Sequence, residues 1–157
     1  MALLPLLEES VAALPGSEPW RGAVLGRGEA LAGALRRGDR ALAVSAAAAL
    51  AGLGEGSTPA GDDYAMGAFH ALWATDLPAR RWAAALAAAA APRTTIGSAA
   101  WLRAAADGAV GERWRELLGA LAGGEIRAVR AATRRVRALG HTSGAFSLRG
   151  FHAVASP

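Results

Sequence analysis

Alanine dominates the long segments of this chain, as in SAAAAL at 45–50 and AAALAAAAA at 83–91. Ala has the strongest helix propensity and little apolar surface to bury. A core resting on it must be made of closely spaced helices, with Leu and Trp supplying bulk. β-Branched residues, which favour strands, are scarce. The pattern predicts an all-α fold, and 157 residues suit a single helical domain spanning 1–157.

Gly and Pro divide the apolar runs into about seven or eight helices. Leu3, Leu7, Val11 and Leu14 mark a first, ended by Pro15-Gly16. A second covers about 22–37 and stops at Gly38. Asp39 caps a third, about 40–52. A fourth runs from about Asp62 to Ala74. Pro78 opens a fifth, closed before Pro92. Thr94 or Thr95 caps a sixth, to about Ala106. A seventh reaches about Leu121, an eighth spans Glu125 to Leu139, and a short terminal helix follows.

The two halves echo each other. Residues 31–54 align without gaps on 117–140, so that Gly38 falls on Gly124, Asp39 on Glu125 and Gly54 on Gly140. With a three-residue deletion, Gly61 then meets Gly144 and Gly67 meets Gly150. Each copy reads helix, Gly turn, helix, Gly-rich loop, helix. Such a repeat would set two Gly-rich loops facing each other across a pseudo-twofold axis.

Those loops carry the chemistry. GLGEGSTPAGDD, residues 52–63, combines backbone donors at Gly54, Gly56 and Gly61 with Thr58, Pro59 and two acids, Asp62 and Asp63. One acid can cap the next helix while the other faces a ligand as base, acceptor or magnesium contact. GHTSG, residues 140–144, offers Gly140, His141, Thr142, Ser143 and Gly144 at a helix start. Its hydroxyls either cap that helix or cradle an anion beside the imidazole. His70 and His152, among apolar neighbours, are expected to be packed or interfacial. The five Trp are expected in core or interface.

Several classes are disfavoured. No strand precedes GLGEG and no Lys follows it, so it is neither a dinucleotide fingerprint nor a phosphate-binding Walker loop. With no Cys there is no thiolate nucleophile or zinc–thiolate site, and an intracellular, cytoplasmic setting is expected. The N-terminus lacks a basic signal-peptide start, and the 83–91 run is too short and too weakly apolar to cross a bilayer. All 17 basic residues are Arg and the formal charge is +4. Arg127, Arg130, Arg134 and Arg137 form a helical stripe, expected to be a solvated face. No aromatic residues interleave with them, which argues against nucleic acid. No metal-ligand set and no cofactor is assigned.

The two motifs together resemble the AllH-type subunit family of oxamate carbamoyltransferase, whose pattern is similar to GLGxGxTPxGDD followed by a GH-T/S-SG loop. Gly52, Leu53, Gly54, Gly56, Thr58, Pro59, Gly61, Asp62 and Asp63 match the first part. Gly67 matches a helix Gly, Thr94 or Thr95 and Ser98 a middle pair, and Gly140 to Gly144 with Leu148 and Gly150 the last part. The resemblance covers about residues 30–155. Longer members carry an N-terminal portion before this helical half. They also often show an acid shortly after the second loop, where this chain has Phe146.

The resemblance implies transfer of a carbamoyl group between oxalurate and phosphate, by one part of a multi-subunit enzyme. The expected function is thus a subunit or stand-alone relative of a carbamoyl-transfer enzyme. It would bind a small anionic ligand, an oxamate, oxalurate or phosphate-like compound, at the two loops. Asp62 or Asp63 is the expected base or metal contact and His141 the proton donor or anion contact. The chain is expected to act as a homo-oligomer or with partner subunits. The alternative is a noncatalytic assembly module whose Gly loops only permit close packing.

Overall fold

Helices of the computed structural model stop where Ala- and Leu-rich runs give way to Gly and Pro. It describes residues 4–7 and 18–156. The helices are α1 (Trp20–Arg37), α2 (Arg40–Leu50), α3 (Ala60–Ala74), α4 (Ala83–Ala90), α5 (Ile96–Ala106), α6 (Glu112–Gly123), α7 (Ile126–Arg137) and α8 (Ser143–Ala155). Short 3-10 turns at Pro78–Trp82 and Ala91–Arg93 flank α4. No strand occurs among the described residues, and the fold is an all-α single domain. The helix expected on Leu3, Leu7, Val11 and Leu14 lies, beyond 4–7, outside the described residues; Leu4 and Leu7 are buried in the core.

Capping residues act where the sequence places them. The Asp39 carboxylate accepts from the Leu42 N–H at 3.0 Å, and Thr95 rather than Thr94 caps α5 through the Ser98 N–H. The terminal helix is not short: α8 has 13 residues and is mostly buried. It packs along α3 in the most extensive helix pairing of the fold. Two glycines make that possible. A Cβ on Gly67 would stand 2.6 Å from the Ser147 carbonyl carbon and 2.9 Å from the Phe151 nitrogen. One on Gly150 would stand 2.8 Å from the Tyr64 carbonyl carbon. The helices therefore meet backbone to backbone, an approach any side chain would prevent. Around this centre, α1 pairs with α2 and α6 with α7.

The aligned halves share backbone details. Gly38 and Gly124 end α1 and α6 in the left-handed region, at φ 74° and 75°. Asp39 and Glu125 then cap α2 and α7 with their carboxylates. The Gly61 N–H donates to the Leu53 carbonyl at 2.8 Å, and the Gly144 N–H to that of Leu139 at 2.9 Å.

On α7, Val129, Ala132, Thr133 and Val136 are buried; Arg127, Arg130 and Arg134 of the expected stripe lie in solvent, while its fourth member, Arg137, is half-buried. Trp114 is buried and Trp20 and Trp82 half-buried, but Trp73 and Trp101 are exposed. No helix among the described residues is long and apolar enough to cross a membrane.

Candidate functional site

The first Gly-rich loop is fastened by Asp62. This side chain is fully buried. Its Oδ1 accepts from the Gly52 N–H at 3.0 Å, and its Oδ2 from the Thr94 hydroxyl. Thr95, next in the chain, donates its hydroxyl to the Ser57 carbonyl at 2.8 Å. The loop and the start of α5 are thus tied together at two points. Burial raises the Asp62 pKa, and the hydrogen bonds from Thr94, Gly52 and Ser98 oppose that rise. Neither acid caps its own helix, since the N-cap position of α3 is Pro59 and no side chain caps it.

Asp63 has the opposite character. It is 1% exposed, yet its Oδ2 has no hydrogen-bond partner. Burial pushes its pKa up to about 7; a hydrogen bond from Ser143 works against this and the neighbouring Asp62 charge adds to it. A carboxyl in such a setting stands between its two protonation states near neutrality and can accept or release a proton there.

The second loop arrives at the same place. The hydroxyls of Thr58 and Ser143 lie 3.3 Å apart, joining residues 85 apart in sequence. Neither Thr142 nor Ser143 caps α8 with its side chain. Gly144 serves packing, since a Cβ there would lie 2.7 Å from the Arg137 carbonyl oxygen. Gly61 likewise seats the start of α3 against the end of α2. Gly54, Gly56 and Gly140 adopt positive φ, at 109°, 86° and 56°.

Thr58, Asp63, Gly140 and Ser143 open onto a cavity of about 480 Å³. Met66, Trp101, Ala105, Val110 and Trp114 supply much of its apolar wall. No Arg side chain lines it. Of the residues expected at the site, Asp63, Thr58, Gly140 and Ser143 are brought together on this wall, and Asp62 braces the loop behind it. Pro59 is buried at the start of α3 and Thr142 is half-buried beside Ser143. His141 is exposed and stands outside the cavity lining.

The imidazole on the wall is instead that of His70, which is packed as expected and also lines the cavity. It is 5% exposed, its Nδ1 has no hydrogen-bond partner, and its ring centre lies 4.8 Å from that of Trp114. Burial pushes its pKa down to about 4, so the ring is neutral at physiological pH. The available signal was spacing: Asp63, Met66 and His70 sit at i, i+3 and i+7, one face of α3. Among the described residues no group of three or more His, Asp or Glu is placed to hold a metal ion.

Residues 50–155 match the family model described as oxamate carbamoyltransferase subunit AllH. No curated protein and no solved structure matches the chain.

Proposed function

This chain belongs to the oxamate carbamoyltransferase subunit AllH family, and from that premise we propose that it is a subunit of a carbamoyl-transferring enzyme. In this reading the cavity beside Asp63 holds the carbamoyl end of the substrate. The observation that carries it is Asp63, a buried cavity-lining residue whose Oδ2 has no partner, beside the cavity-lining Ser143 and Thr58. A carbamoyl group presents two N–H donors and one carbonyl acceptor in a plane. Asp63 supplies the acceptor and Ser143 or Thr58 the donor. An unmet buried carboxyl oxygen is costly, and an amide N–H relieves that cost. As the acid or base, Asp63 passes a proton to or from the substrate nitrogen.

The anionic part of an oxamate-like ligand or a phosphate finds no Arg on the cavity wall. In the first loop the N–H groups of Gly52, Leu53, Gly61, Asp62 and Asp63 are engaged within the protein. The anion contact then falls to donors around Gly54, Gly56 and Thr58, to the 140–144 loop with His141, and to a partner subunit. The assembly-module alternative draws on Gly61 and Gly144, whose role is close packing. It gives no account of Asp63.

Calorimetric titration with oxamate and with phosphate tests the reading, with thermal melts reporting on folding. Asp63→Asn and Ser143→Ala are expected to weaken oxamate binding at least about tenfold, the value of one hydrogen bond to a charged group. Asp62→Ala weakens it through the loop, and His141→Ala weakens it less. No binding of either ligand by the wild-type chain, or unchanged affinity in all four variants, overturns the proposal.

A further inference from the structure

The cavity is far larger than the ligand the family name suggests. Its 480 Å³ falls in the range that encloses drug-sized molecules. A two-carbon acid amide occupies only a small part of such a space, given the ~30 Å³ share of a single water. The lining runs along α3 from Asp63 through Met66 to His70. Seven residues, or two turns, separate it from Asp63 on α3, so the two positions are about 10 Å apart along the helix.

Both ends have the same defect. Asp63 and His70 both line the cavity, and each carries a buried polar atom, Oδ2 and Nδ1, with no partner. Between and around them the wall is apolar and aromatic, with Met66, Trp101, Ala105 and Trp114. Trp114 itself is backed by Phe151, ring centres 5.3 Å apart. A charged group at the His70 end would be desolvated with no counterion on the wall. A flat, uncharged group meets aromatic faces and an imidazole nitrogen that can donate or accept according to its tautomer.

We propose that the His70 end of the cavity is a second subsite, taking an uncharged planar or aromatic group attached to the carbamoyl compound held at Asp63. The proposal rests on the carbamoyl reading of the Asp63 end and extends the substrate class from oxamate-sized acids to N-substituted ureides. The neutral state that burial imposes on the imidazole agrees with an uncharged occupant.

Methylurea and phenylurea are the probes, titrated into the full chain by calorimetry and by proton–carbon NMR of the His ring. Phenylurea is expected to bind at least tenfold more tightly than methylurea and to shift the His70 ring signals, which methylurea leaves in place. Trp101→Ala removes an exposed wall residue and should erase that advantage over methylurea. Ala104→Trp, which fills the cavity from α5, should do the same. Equal affinities for the two ureas, an unmoved His70, or an advantage that survives both substitutions overturns the subsite; methylurea binding that needs Asp63 would leave the carbamoyl reading standing. Conversely, tight phenylurea binding that shifts His70 but is indifferent to Asp63→Asn supports the subsite and removes the carbamoyl reading.

Discussion

Gly67→Ala and Gly119→Ala are chemically the same change on two helices, and they should have opposite signs. At Gly67 the added Cβ would stand 2.6 Å from the Ser147 carbonyl carbon and 2.9 Å from the Phe151 nitrogen, closer than Cβ atoms are found to backbone. Ordinary contact begins at 3.4 Å and the Ser147 carbonyl oxygen stands closer still than its carbon, so α8 must retreat by more than about 0.8 Å. Overpacking of this kind costs about 1–3 kcal/mol, and here the obstacle is backbone, which cannot rotate aside. Better helix propensity returns about 0.5–1 kcal/mol. At Gly119, exposed inside α6, nothing lies within 4 Å of the new Cβ, so only the gain remains. The propensity gain is common to both, so the two variants should differ by the overpacking cost, about 1–3 kcal/mol, which for a chain of this size is a separation of roughly 2–12 °C in Tm. Urea denaturation followed by circular dichroism measures the gap. Moving α8 also moves Ser143, so Gly67→Ala should weaken oxamate binding where Gly119→Ala does not. Equal stability of the two variants would refute the backbone-to-backbone account of the α3–α8 contact.

Folding stability should depend on pH in two opposed ways. Asp63 is raised from 3.8 to about 7, so its contribution is complete below about pH 4 and lost as pH rises through 7; His70 is lowered from 6.5 to about 4, so its contribution is complete above 6.5 and lost as pH falls through 4. Between pH 4.5 and 6.5, Asp63→Asn should gain stability relative to wild type as pH rises and His70→Gln should lose it, each by at most about 1.4 kcal/mol per pH unit. Parallel denaturation midpoints across that range would contradict both assignments. Asp62→Ala should destabilise by about 2 kcal/mol or more, because it strands the Gly52 N–H and the Thr94 hydroxyl together. Thr94→Val, which removes one of these bonds, should cost about half as much in the same denaturation assay.

Much of this architecture is legible in the residues because the signals are local. Ala and Leu mark helices by propensity, while Gly38 and Gly124 mark turns that need positive φ. Asp39 and Thr95 are caps recognisable from their neighbours. The meeting of the two loops was expected only through the alignment of the halves, and the Thr58–Ser143 contact shows that they do meet. The division of labour between Asp62 and Asp63 was not legible. It depends on Thr94, in the bend before α5, reaching one carboxylate and leaving the second without a partner beside a cavity. His70 was passed over because apolar sequence neighbours describe a helix face, not what lies opposite it. Only the fold sets Trp114 against that ring. The size of the terminal helix was underestimated for a similar reason: Gly144 and Gly150 look like breakers until a second helix is seen to need their flatness.

The junction of α3 with α8 also bears on how the molecule comes into being. The α1–α2 and α6–α7 hairpins join neighbours along the chain, so each can form early and alone. Thr58 and Ser143 meet across a span of 85 residues, and closing a loop that long carries an entropic penalty that only the finished α3–α8 seam offsets. The cavity belongs to that last step. A partly synthesised or half-folded chain has helices and turns but no place where Asp63 faces Ser143, so binding competence arrives only with complete folding.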